Sequence, residues 1–320
     1  MDLTELSLED LLELEVYRPT TVLGSHIHSR GEWMIMYHFM AMGMEGILDG
    51  TKSMSPQEVL NDFSVTPTRM VMTTHMTGVM YGLSDRITLM GLLPYKRISM
   101  DHRNRMGVEF DTRSEGIGDL IFGGIHRLYA DEERSLHLRV SMGMPTGSID
   151  RRDDTPMGPD QKLPYPMQLG SGTWDLLPGI TYQEVTQDWL RGINLHAEIR
   201  TGVNDNDYRL GNRYDLTTWV TRTIRNEVGV TFRVEGQNRG NVHGADPELD
   251  PAMVPTADPS LQGGSRVDVF LGTSLFSPEG VLKNKGLEVE FGTPLYQSLN
   301  GPQLETDWLL RVNGTFTWGD

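Results

Sequence analysis

From about residue 32 to the end of the chain, apolar residues recur at every second position rather than every third or fourth. No stretch reaches the roughly 18 uninterrupted apolar residues that a membrane-spanning helix needs, so helical crossing is excluded. A period of two puts successive side chains on opposite faces of a strand, and each strand here has one greasy face. Strand-like runs fall near 32–44, 69–83, 86–98, 118–130, 135–145, 173–184, 189–203, 212–225, 227–239, 265–277, 285–297 and 306–318, which makes twelve.

The connections narrow the choice further. Short turns at Ser84-Asp85, Asp131 to Arg134, Glu184 to Asp188, Arg225 to Glu227 and Pro278 to Asn284 alternate with longer connections, among them 45–68, 99–117, 146–172 and 240–264. A soluble sandwich has no reason to segregate its loops in this way, whereas a barrel in the outer membrane has short periplasmic turns and long extracellular loops. The expected fold is all-β, a transmembrane antiparallel β-barrel of about twelve strands with a polar lumen. A low apolar fraction of 38% agrees with it, because only alternate residues face lipid. A net charge of −16 argues against nucleic-acid partners and favours surfaces that attract cations. Cysteine is absent, as suits an exported chain using neither disulfides nor thiolate-bound metal.

Residues 1–30 form a separate N-terminal segment, expected on the periplasmic side, and residues 31–320 the barrel. Leu3, Leu6, Leu8, Leu11, Leu12 and Leu14 fall mostly at helical spacing, and Ser7 with Asp10 is placed to form a capping box, so residues 4–15 read as a short amphipathic helix. It could lie on the barrel rim or act as a plug. The opening has no basic region followed by an apolar core, so an outer-membrane location carries with it the expectation that a leader was removed.

In the last strand Trp308, Leu310, Val312, Gly314, Phe316 and Trp318 share one face, and Leu309, Arg311, Asn313, Thr315 and Thr317 the other. This outward row ending in aromatics is similar to the C-terminal strand of outer-membrane barrels, although Gly319 and Asp320 follow it. The motifs YGLSDRITLMGLLPY at 81–95, GIGDLIFGGIHRLY at 116–129 and SMGMPTGS at 141–148 resemble the transporter-like barrels grouped with the MetA-pathway of phenol degradation family, over most of residues 24–318. That resemblance implies an outer-membrane barrel and leaves the substrate class open. The opening TELSLEDLLELEV is also similar to segments preceding the plug of TonB-dependent receptors, but no plug-sized domain follows it.

If Trp33, Ile35, Tyr37 and Phe39 face lipid, then Met34, Met36, His38, Met40, Met42 and Met44 face the lumen. By the same rule Met70, Met72, Met76 and Met80 turn inward opposite Val71, Val79, Tyr81 and Leu83, and Met90 follows in the next strand. The turn at Ser84-Asp85 sets Met80 opposite Met90; extended pairing of the first two strands brings Met44 near Met70 and His38 near Met76. The result is a continuous thioether wall. Thioethers with an imidazole suit Cu(I) or Ag(I), with Met34, Met36, His38, Met40, Met72, Met76 and Met80 as the contributors, while Met as adaptable filler or as a coat for apolar solutes is the competing reading. His26 and His28 could add ligands at the periplasmic mouth, although such a pair is more often an ordinary surface feature.

The other strands turn charge inward: Asp119, Arg127, His137, Arg139, Asp175, His196, Glu198, Arg200, Asp215, Arg233, Glu235, Arg266, Asp268, Glu288, Glu290 and Arg311. They could form a salt-bridge network that narrows the pore, or a hydrated path, and a structural role is the expected one for most of them. His75 and His126 fall on the lipid-facing parity, at the rims or at a slip of register. Residues 203–208 are too short for a calcium loop and read as a turn, and Arg151 to Asp154 as a solvated loop tip. The expected function is a channel or transporter with no required cofactor, whose partners are outer-membrane lipid and a small solute or soft metal ion; uptake of small apolar or aromatic solutes is the alternative. A hydrolase is disfavoured because no GxSxG elbow is present; a non-transporting structural barrel is the third reading.

Overall fold

The computed structural model describes residues 25–186, 188–225, 228–277 and 284–319, so the helix expected over residues 4–15 lies outside the described residues. The first part of the chain contains β1 (Trp33–Gly50), β2 (Lys52–Met54), a helix α1 (Pro56–Asp62), β3 (Val65–Ser84), β4 (Ile87–Asn104), β5 (Glu109–Ile117), β6 (Leu120–Ala130) and β7 (Arg134–Met144). There follow β8 (Arg152–Thr155), β9 (Gly158–Lys162), β10 (Trp174–Val185), β11 (Trp189–Thr201), β12 (Tyr208–Arg209), β13 (Arg213–Arg225), β14 (Val228–Arg239), β15 (His243–Gly244), β16 (Gly264–Ser277) and β17 (Lys285–Trp318).

Eleven of these strands join in the order β1, β3, β4, β6, β7, β10, β11, β13, β14, β16, β17, with β2 and β5 outside the closed wall. β17 then pairs antiparallel with β1, from Trp33 opposite Trp318 to Gly50 opposite Leu299, which closes the barrel. Its 34 residues are not one stave. Lys285 to Leu299 pair with β16 and Leu299 to Trp318 pair with β1. Gln297 Nε2 donates to Thr306 O at 3.0 Å and Thr317 N to Asn284 O at 3.0 Å. Residues nine apart in an extended strand would be about 30 Å apart, so β17 doubles back at Asn300-Gly301, where Gly301 takes a φ of +91°. The wall therefore has twelve staves, and an even number is what closure by antiparallel pairs alone requires.

The turns after β3, β6, β10, β13 and β16 lie at the end that also holds Trp33 and Trp318, and the longer connections at the other. Strand parity is as read: Met34, Met36 and His38 are buried while Trp33, Ile35 and Tyr37 are exposed to the outside. At the closing seam Trp33 stacks on Trp318 at 6.4 Å and Phe316 on Trp318 at 5.5 Å, an outward aromatic girdle at the turn end. His75 sits opposite Phe39 and Tyr95 without a slip of register, and Tyr37 Oη lies 2.6 Å from its Nδ1, which meets the polar need of a histidine on a lipid-facing wall. His126, opposite Ile87, lies at the turn-end rim.

Two expected loops are extended strand instead. β4 runs on to Asn104 and pairs with β5, where a connection over 99–117 was expected, and β1 runs on to Gly50. On β4 the outward residues are apolar from Ile87 to Tyr95, about 20 Å along the barrel axis at the usual strand tilt. Above Tyr95 they become charged and pair across strands, Arg97 with Glu115 at 3.0 Å and Arg103 with Glu109 at 2.5 Å. That extension stands above the bilayer in water, so its outer face needs no apolar residues and carries no apolar alternation to read.

The connection between β7 and β10 folds inward rather than outward. Met167, Leu169 and Leu163 pack with Ile47, Met70, Ile98 and Met100 of the wall and Val59 of α1. Lys96 Nζ donates to Leu169 O at 2.8 Å, Ser114 Oγ to Met167 O at 2.6 Å, and the Asp119 carboxylate accepts from Gly147 N at 2.9 Å and Ser171 N at 2.7 Å. Arg152, expected on a solvated tip, is half-buried and paired with Glu248.

Candidate functional site

The lumen has two unlike walls. On β1, β3 and β4 the thioethers face one another in register: Met34 opposite Met80, Met80 opposite Met90, Met42 opposite Met72 and Met44 opposite Met70, with His38 opposite Met76. The wall is not continuous, as expected from sequence, but divided. Met34, Met36, Met80 and Met90 pack with Leu92 and Ile125 at the turn end, with Met76 at the margin. Met70 belongs to the loop-end cluster with Met100 and Met167, against which Met44 and Met72 pack. Between the two clusters Met40 is 36% exposed, facing open lumen beside Arg311 and Thr74.

Residues 25–28 sit inside the turn end. Ile27 packs on the Met34 cluster, His28 N donates to Thr88 Oγ1 at 2.9 Å, and Gln183 Nε2 donates to Ser25 O. His26 and His28 are buried here, ring edge to ring face at 5.1 Å, and His28 Nδ1 lies 3.2 Å from Glu32. They are lumen residues rather than surface ones.

The opposite wall, β10 to β17, is ionic. Arg233 lies 3.0 Å from Glu290 and 4.0 Å from Glu288. Arg311 holds Glu235 with two hydrogen bonds, at 2.9 and 3.2 Å, reaching over β16 and the first arm of β17, and its guanidinium lies 4.3 Å over the Phe270 ring. Arg266 pairs with Asp268 at 2.9 Å, Arg213 with Asp215 at 2.9 Å, and Arg200 with both Glu198 and Asp175. Asp175 also accepts from Ser171 Oγ and Thr173 Oγ1, and Arg139 lies 2.6 Å from His196 Nδ1. Asp119 serves the in-folded loop instead, and Arg127, half-buried near the turn end, has its backbone N bonded to Arg86 O. Buried pairs of this kind add little net stability but fix geometry. The two walls meet where Arg266 Nη1 contacts Thr306 Oγ1 at 2.6 Å and Met42 Sδ at 3.7 Å.

Sequence reasoning missed Lys96, Arg213 and Arg239. The last two share inward parity with Asp215 and with Arg233 and Glu235, so carrying the alternation to the strand ends would have found them. Among the described residues no group of three or more His, Asp and Glu is placed to hold a metal ion.

Several solved structures match this chain along most of their length. An outer membrane channel from Pseudomonas putida F1 is 16% identical, with a TM-score of 0.66 over 91% of this chain and 97% of that one. The P. putida toluene transporter TodX is 9% identical, with a TM-score of 0.45 over 92% and 91% of the two chains. The translocator domain of autotransporter NalP from Neisseria meningitidis is 11% identical, with a TM-score of 0.45 over 90% and 89%. No curated protein sequence matches. The family described as "Putative MetA-pathway of phenol degradation" matches residues 66–254, more than half of the chain. The protein, an outer-membrane β-barrel with a channel fold, belongs to that family.

Proposed function

We propose that the barrel is a conduit, not an enzyme, for small apolar or amphipathic solutes, oriented with the short turns and residues 1–30 on the periplasmic side. The division of the lumen carries this reading: apolar clusters rich in Met lie toward both ends, and the open stretch between them has a thioether wall facing an ion-paired one. Ions and sugars would have to shed water against buried Met, Leu and Ile, whereas an apolar solute gains contact there. Unbranched Met side chains can move aside for it at low cost.

The test is uptake of the apolar dye N-phenyl-1-naphthylamine by cells whose outer membrane carries the barrel, beside swelling of barrel-containing liposomes in arabinose. Faster dye uptake with slow swelling is expected. Rapid swelling with unchanged dye uptake would refute the reading.

A second reading keeps the soft-metal site at Met36, His38, Met40, Met72 and Met76, favoured by His38 opposite Met76 and Met42 opposite Met72, with Met36 and Met40 next along the same face of β1. Weak thioether ligands in series would admit Cu(I) or Ag(I) and release it onward. Changing Met36, Met40, Met72 and Met76 to Leu keeps apolar volume and removes sulfur. Equal Ag(I) binding before and after would reject the metal and leave the solute.

A further inference from the structure

We propose that Arg239, with Arg213, Arg200 and Arg266, forms an anion subsite at the loop end of the lumen that takes the carboxylate of an amphipathic solute. The inference rests on the apolar-solute reading and names the headgroup it accepts.

Inward-facing Arg200, Arg213, Arg233, Arg266 and Arg311 each have a carboxylate within ion-pair distance. Arg239 is on the same face of β14 as Arg233 and Glu235, is exposed, and has no such partner among the described residues. It stands directly opposite Arg213 in the β13–β14 register. Arg200 and Arg266 lie around it as well, already held by carboxylates of their own, Asp175 and Glu198 for the first and Asp268 for the second, as Arg213 is by Asp215. Like charges in direct cross-strand register are unfavourable, and Arg239 is the member of the pair with no carboxylate among the described residues, so an anion held at Arg239 relieves the arrangement. A guanidinium presents two parallel N–H donors that match a carboxylate, which makes Arg239 the group for the headgroup and its neighbours the surrounding field.

The apolar wall begins next to this cluster. Arg266 touches Met42 Sδ, and open Met40 follows on the same face. A solute with its carboxylate at Arg239 would lay its apolar body along Met42 and Met40, one end on each kind of wall. A purely apolar solute would leave Arg239 unused.

Equilibrium binding of radiolabelled decanoate and decanol to the full chain in nanodiscs, corrected for empty nanodiscs, tests this. Wild type is expected to bind decanoate about tenfold tighter than decanol, as one charge-assisted pair implies. Arg239→Gln should lose that preference while decanol binding is unchanged, and Arg239→Lys, keeping charge without the fork, should fall between. Arg97→Gln, outside the lumen, should behave as wild type. Full preference in both Arg239 variants, or a wild type that binds the two equally, would overturn the subsite and leave the apolar-solute reading standing. Binding of neither amphiphile would overturn that reading and the subsite with it.

Discussion

The Arg233, Glu288 and Glu290 group is buried on the barrel wall and gives a sharp test of the ionic wall. Glu288 and Glu290 are same-face neighbours on the first arm of β17, their side chains 1% and 0% exposed, with Arg233 3.0 Å from one and 4.0 Å from the other. Arg233→Met keeps most of the side-chain length and removes the cation. Two carboxylates about 7 Å apart repel by about 2.4 kcal/mol at an effective dielectric of about 20. Loss of one member of a buried pair costs about 3–5 kcal/mol. A destabilisation of about 5 kcal/mol is expected at pH 8.

A double variant separates this cause from simple loss of packing. Urea unfolding in micelles at pH 8, followed by the mobility difference between folded and unfolded barrel on unheated gels, measures the deficit. Adding Glu290→Gln to Arg233→Met removes the repulsion and should recover much of the loss. A double variant no better than the single one would refute the electrostatic account.

Gly192→Ala should destabilise by about 1–3 kcal/mol, because the new Cβ would lie 2.1 Å from Cζ2 of buried Trp219, whereas Gly314→Ala, with nothing within 4 Å, should leave the urea midpoint unchanged. Lys162 is clamped between Asp246 at 3.2 Å and Asp150 at 2.5 Å, tying the β8–β9 hairpin to the loop before β16. Lys162→Met should speed amide exchange over 150–162 and 240–250 while the barrel strands keep their protection, and equal rates would count against the clamp. Burial acts to lower the Lys162 pKa, but hydrogen bonds with Asp150 and Asp246 outweigh it and hold it above the ordinary value; the Lys162 hydrogen bond holds Asp150 below its own. The lysine's contribution is full below its unfolded value near ~10.4 and lost as pH rises through the higher folded one; the aspartate's is present above ~3.9 and lost as pH falls through its lower folded one. Loop exchange, corrected for its intrinsic pH dependence, should stay flat from about pH 5 to 10 and rise outside that window.

What was legible in the sequence is what period two and short turns determine. The turn at Ser84-Asp85 leaves little freedom in register, so Met80 opposite Met90 could be read directly, and the outward aromatics Phe316 and Trp318 followed from parity. Arg103, Glu109 and Glu115 were illegible as strand because their face meets water above the bilayer, where cross-strand ion pairs, Arg103 with Glu109 and Arg97 with Glu115, take the place of apolar alternation. The in-folded connection gave no signal either. Met167 and Leu169 stand in a Pro- and Gly-rich segment without periodicity, and the groups that hold them, Ser114 and Lys96, are 53 and 73 residues away in sequence.

The division of the thioether wall follows from that connection and from residues 25–28. Parity alone makes Met34 to Met44 one equivalent row, and nothing in their own sequence distinguishes Met40 from Met36. The distinction comes from what packs on them: Ile27, Leu92 and Ile125 at one end, Met167 and Leu169 at the other. Met40 is left open because neither filler extends to it, and the ionic wall there is committed to its own pairs, Arg311 to Glu235 above all. A solute held at this level would therefore find thioether on one side and a neutralised salt-bridge surface on the other. Unneutralised positive charge lies further toward the loops, at Arg239. Position along the lumen axis thus sorts the chemistry more sharply than the choice of wall does, and the alternation of a single strand contains no information about that axis.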